Sequence, residues 1–154
     1  MVDLNGLLKL VHVFAAIVAV GANVTYAFWM ALAGQDRAKL VFAINGIRRL
    51  DSRVANPAYV VLALTGVPLV IVGRWSFTAP WIWLSIVLYL AIAFIGITLY
   101  APAIRVQLRA AEEDPGSEVY GAAARRSNAL GLVTLVVVSV IVGLMVLKPG
   151  EVSP

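Results

Sequence analysis

Ala129–Leu147 reads ALGLVTLVVVSVIVGLMVL, 19 residues without a charge. Wound as an α-helix at 1.5 Å per residue it extends about 28 Å, close to the roughly 30 Å of hydrocarbon in a bilayer. Working outward, the runs 7–33, 55–73 and 81–100 have the same character. None of the four contains Asp, Glu or Arg, and Lys9, the one charge inside any of them, is near enough to an end to snorkel into the headgroups.

The rest of the chain agrees. Of 154 residues, 62% are hydrophobic and 13% charged, with a mean hydropathy of +0.94, whereas soluble domains average roughly 45–50% apolar and 25% charged. A soluble core of this size cannot hide so much apolar surface. The expected fold is all-α: a four-transmembrane-helix bundle of antiparallel, up-down topology, with residues 1–154 forming a single integral membrane domain. The short second loop is expected to make the second and third spans antiparallel neighbours. The first apolar run far exceeds the 7–15 residues of a signal-peptide core, so it is expected to be a retained span.

Counting Lys and Arg gives the orientation. Nine lie in the first and third loops and three on the opposite side. Positive-inside bias then places those two loops in the cytoplasm and both termini outside it, in the cell's inner (plasma) membrane. Trp75, Trp81 and Trp83 fall at the outer interface, and Trp29 and Tyr100 near the inner one. The basic residues flank apolar runs and are not interleaved with aromatics on a soluble face, so the pI near 9.8 reads as orientation signal and headgroup contact, with lipid and not nucleic acid as the partner.

Local signals fix the ends. Asp36 is the expected N-cap of a short amphipathic helix lying on the inner surface over 36–53, with Leu40, Ile44 and Ile47 on one face. Thr78 with Pro80 reads as an N-cap followed by a first-turn proline. Pro102 is expected to bend the chain before an amphipathic extension over 104–113, and Thr65-Gly66-Val67-Pro68 to interrupt the second span. Ser139-x-x-x-Gly143 has the spacing of a helix contact face.

His12 is the only histidine. Steps of three and four place it on one stripe with Ala16, Ala19, Asn23, Tyr26 and Met30. Small residues there admit a neighbouring backbone, and the polar groups need partners that acyl chains lack, so the stripe is expected to face the interior. His12 is the candidate metal ligand, as an axial ligand to haem b or a porphyrin, with Asn23 and Tyr26 as candidate cofactor-binding residues. The plain alternative, a buried histidine bonded to a neighbour, stays open. No second histidine completes a two-histidine haem within one chain, and Met30 lies three or more turns away on the same helix. The spans hold no carboxylate to carry protons or sodium, which argues against a pump and for a packed, carboxylate-free interior. With no cysteine, thiol chemistry and iron–sulfur ligation are excluded. No catalytic residue is assigned.

The run Leu7-Leu8-Lys9-Leu10-Val11-His12 with Gly21 beyond it, the lead-in Asp51-Ser52-Arg53-Val54-Ala55-Asn56-Pro57 to a span containing Thr65-Gly66, and Pro102 after the third span together resemble domain-of-unknown-function family 2269, predicted bacterial integral membrane proteins. That resemblance covers nearly the whole chain and implies four spans with no assigned activity. More distantly, the early histidine and the glycines are similar to HemJ-type protoporphyrinogen oxidases and CopD-like proteins. In the HemJ type the first-span histidine ligates haem together with a lysine deeper in the chain. His12 matches the first position, and no lysine lies between Lys39 and Lys148. Two readings result. The first is a non-catalytic accessory or scaffold subunit in a homo-oligomer or larger membrane complex. The second is a haem b or porphyrin-binding redox protein using His12, which as an enzyme would be a HemJ-like porphyrinogen oxidase.

Overall fold

The computed structural model describes residues 3–150. Six α-helices occur in the order α1 Leu4–Ala33, α2 Arg37–Leu50, α3 Asn56–Val72, α4 Pro80–Ile95, α5 Ala101–Glu113 and α6 Glu118–Leu147. Asp51–Ala55 and Gly96–Tyr100 are π-helical turns that fuse α2 to α3 and α4 to α5. Four continuous rods result, over Leu4–Ala33, Arg37–Val72, Pro80–Glu113 and Glu118–Leu147, each long and apolar enough to cross a membrane. No strand occurs among the described residues. The all-α, four-span bundle read from the sequence is the fold.

The ends are set by polar side chains that satisfy orphan N–H groups. Asp3 accepts from Gly6 N–H at 2.7 Å, Asp36 from Lys39 N–H at 3.0 Å, and Ser117 from Tyr120 N–H at 3.2 Å. α1 stops at Gly34, whose φ of +57° lies in the left-handed region that glycine tolerates best. Thr78 does not cap α4. Its N–H binds Ser76 Oγ, Ala79 holds the cap position, and Pro80 opens the helix, where its missing N–H costs nothing.

Three expectations are corrected by packing. The amphipathic helix exists, with Leu40, Ile44 and Ile47 on one face, but that face is buried against protein and not left for lipid. That face meets the apolar side of α5, including Ile104, Leu108 and Ala111, so the best-buried core of the molecule forms at its basic end. The prolines do not break the rods. Pro68 sits inside a continuous α3, and Pro102 opens α5 directly after a π turn. Nor do α3 and α4 pack on each other, although only a short turn joins them. α1 pairs with α3, α4 pairs with α6, and α1 also meets α6, leaving the two pairs splayed.

Within the α1/α3 pair, small residues bring backbones close. Ala15, Ala19, Ala22, Ala58 and Thr65 are buried in the α1/α3 pair, so the inward stripe of α1 lies where its composition requires. The Ser139/Gly143 face, by contrast, is not packed: a Cβ at Gly143 would meet nothing within 4 Å. At the end opposite the basic core, Trp75 and Trp81 stand edge to face at 5.5 Å, and the Lys148 ammonium lies 4.2 Å from the Trp75 ring, tying the end of α6 to the α3–α4 turn. Large apolar side chains such as Phe14, Phe28, Leu64, Phe94, Ile97 and Val146 are exposed along the rods. In a multi-pass membrane protein, acyl chains cover them.

A tyrosine-lined cavity between the helix pairs

The splay of the two pairs leaves a cavity of about 1470 Å³, larger than the roughly 300–1,000 Å³ of ordinary small-molecule pockets. It runs along α6 from Tyr120 to Leu135, about 22 Å at helical rise. All five tyrosines of the chain, Tyr26, Tyr59, Tyr89, Tyr100 and Tyr120, line it. Each offers an apolar ring with a polar tip, a surface suited to an amphipathic guest.

Hydrogen bonds fix part of this lining. The Asn23 amide donates to the Tyr59 hydroxyl at 2.5 Å, and the Tyr89 hydroxyl reaches across the gap between α3 and α4 to the Tyr59 carbonyl at 2.9 Å. The Tyr26 hydroxyl donates to Asp51 Oδ1 at 3.2 Å. The hydroxyls of Tyr100 and Tyr120 have no hydrogen-bond partner among the described residues.

Both π turns open onto the cavity. A π turn inserts one extra residue into a helix and re-aims the side chains beyond it, and such turns recur at functional sites. The first puts Asp51 on the wall and the second puts Gly96, Ile97 and Tyr100 there. The carboxylate-free interior expected from the spans is therefore corrected. Asp51 looked like a loop residue, but it belongs to the fused α2–α3 rod and is half-buried at the cavity.

Gln107 brings a buried and only half-satisfied amide to the wall. It is 2% exposed, its Oε1 accepts from Ser127 Oγ at 2.5 Å, and its Nε2 has no partner. Ser127 is also within 2.9 Å of the Ala123 carbonyl and has a single hydroxyl proton to give. Turning the amide over would pair Nε2 with Ser127 and strand Oε1 instead, so in either orientation one end of this buried amide lacks a protein partner. A buried polar group in that state costs about 1–3 kcal/mol, which a ligand bearing the complementary group would recover.

The three residues picked from the sequence separate here. Asn23 and Tyr26 line the cavity, whereas His12 does not. It lies 11 residues before Asn23 on α1, about 16 Å along the axis. Its Nδ1 is 2.8 Å from Thr65 Oγ1, whose own proton goes to the Val61 carbonyl at 2.7 Å. With the Thr65 proton assigned to Val61, Nδ1 is the donor in this contact and Nε2 keeps a lone pair. Gly66 makes room for the ring: a Cβ there would stand 3.3 Å from His12 Cε1. Thr65-Gly66, read from sequence as a kink, is the seat of the histidine. Among the described residues no group of three or more His, Cys, Asp or Glu side chains converges on a metal site.

Sequence reasoning missed Asp51, Tyr59, Tyr89, Tyr100, Tyr120 and Gln107. Gln107 left a trace, since it shares a helical face with Ile104, Leu108 and Ala111, an amide where the period calls for an apolar residue. The tyrosines come from five different elements, and nothing local links them.

The family described as predicted integral membrane protein (DUF2269) matches residues 6–149, a range that takes in three of the rods whole, the first from its third residue on, both π turns and every cavity tyrosine. The chain belongs to that family. No curated protein and no solved structure matches it.

Proposed function

We propose that this protein is a non-catalytic, membrane-embedded receptor for an amphipathic small molecule. The observation that carries the reading is the cavity itself, with all five tyrosines and a half-satisfied buried amide on one wall system. An accessory role in a homo-oligomer or larger complex is compatible with it, because a subunit that holds an amphiphile serves partners that use or sense that molecule. The nine-to-three charge bias supports a cytoplasmic basic end, external termini and residence in the inner membrane as a single 154-residue domain.

A second reading rests on His12. Its Nδ1–H is anchored by Thr65 and its Nε2 lone pair is retained, the arrangement of a histidine prepared to ligate a metal. This supports haem b or porphyrin binding at the α1/α3 seam, as the distant HemJ likeness implies. The second axial position has no counterpart nearby: Met30 is 18 residues further along α1, about 27 Å away.

One preparation separates the readings. Protein purified in mild detergent is extracted with organic solvent and the extract analysed by mass spectrometry, alongside a visible spectrum. A stoichiometric amphiphile that persists in His12→Ala and is lost in Gly96→Leu supports the receptor, since a Cβ at Gly96 meets nothing within 4 Å and the larger side chain has open space to fill. A Soret band that vanishes in His12→Ala establishes the haem reading in its place.

A further inference from the structure

A second depression, of about 420 Å³, adjoins the cavity at the basic end. It shares Asp51, Asn56, Ala101, Ile104 and Arg105 with the large cavity, so the two compartments are adjacent. Its remaining wall brings Arg48 and Arg49 from the last turn of α2. Among the described residues none of these three arginines forms an ion pair; Arg105 Nε donates to the Ala101 carbonyl at 3.0 Å, which holds the side chain while leaving its terminal nitrogens as donors. Three arginines and a single carboxylate, Asp51, line the depression, and that carboxylate already accepts from Tyr26.

Resting on the receptor reading above, we propose that this depression binds the phosphate of an anionic phospholipid whose acyl chains occupy the tyrosine-lined cavity. Guanidinium forks match phosphate oxygens in pairs, and an excess of positive charge at a membrane surface selects anionic headgroups. The unpacked gap between α3 and α4 gives acyl chains a lateral way in from the bilayer. Headgroup site and tail site are thus adjacent, of opposite character and in the order a lipid requires.

The test uses native mass spectrometry of the full chain in detergent, titrated separately with dioleoyl phosphatidylglycerol, dioleoyl phosphatidylcholine and inorganic phosphate. Wild type is expected to retain phosphatidylglycerol in clear preference. Arg48→Gln with Arg105→Gln weakens that lipid by about fivefold per arginine removed and leaves phosphatidylcholine unchanged. Arg125→Gln with Arg126→Gln, which removes two charges from the same end outside both compartments, leaves both lipids unchanged. Arg105→Gln alone, at an exposed position, serves if the double variant does not fold. Equal retention of the two lipids by wild type, or equal losses in the two double variants, overturns the headgroup site while leaving the cavity reading intact. Inorganic phosphate that binds and displaces the lipid identifies a free-anion site and overturns the phospholipid. If Gly96→Leu and wild type bind every lipid alike, the cavity reading fails and this proposal fails with it.

Discussion

Gln107 carries an amide into a position where every helical neighbour on its face is apolar, and the structure leaves half of that amide unmatched. Stability alone selects against such a residue, since leucine fills a similar volume and needs no partner. Gln107→Leu is therefore expected to stabilise the ligand-free protein by about 1 kcal/mol, read as a higher thermal midpoint in detergent, while lowering retention of the bound amphiphile. A destabilised variant with full ligand retention contradicts the role given to the amide. His12 illustrates the converse. Its ring is held by Thr65 in the space over Gly66, away from the cavity, so its conspicuousness in the sequence does not make it part of that site.

At the scale of elements, the two π turns do what loops do in other bundles. They change the facing of a helix without ending it, so that α4 presents lipid-facing residues while α5, on the same rod, turns Ile104 and Leu108 onto α2. Inserting an alanine after Ala101, in regular α-helix that has no slack to absorb it, would rotate the rest of α5 by about 100°. Two large core side chains would leave their contacts, each worth about 1.5–3 kcal/mol of burial. Such an insertion should lower stability by roughly 3 kcal/mol or more, whereas deleting Gly150, beyond the end of α6, should change it little. Thermal unfolding of the two proteins checks this, and similar midpoints would mean that the facing of α5 does not hold the core together.

The whole molecule has an uneven distribution of order. Its tightly buried core is at the basic end, its spans touch in two pairs, and its middle is open. A protein built only to brace partners has no need for a large interior space, and this asymmetry favours a ligand. Orientation is testable at the same scale because the chain has no cysteine. Ser76→Cys in the α3–α4 turn is expected to react with a membrane-impermeant maleimide on intact cells. Gly116→Cys in the α5–α6 turn should react only after permeabilisation, and the reverse pattern would invert the topology.

The sequence by itself determined the four crossings, the Asp36 cap, the apolar face of α2 and the inward stripe of α1. Each of these comes from length, charge or periodicity within one stretch of chain, and solvent enforces them whatever the partners are. Tertiary structure alone decided which spans pair, where Asp51 lies, and that five tyrosines from separate elements meet. Those outcomes depend on two single-residue insertions in helical register and on an unpacked gap between two helices adjacent in sequence. Neither leaves a periodic signal, because a π turn contains ordinary helical residues and an absent contact has no residue to mark it. The stretch Ala129–Leu147 shows both limits: its composition required a span, but only packing made one face of it the wall of a cavity.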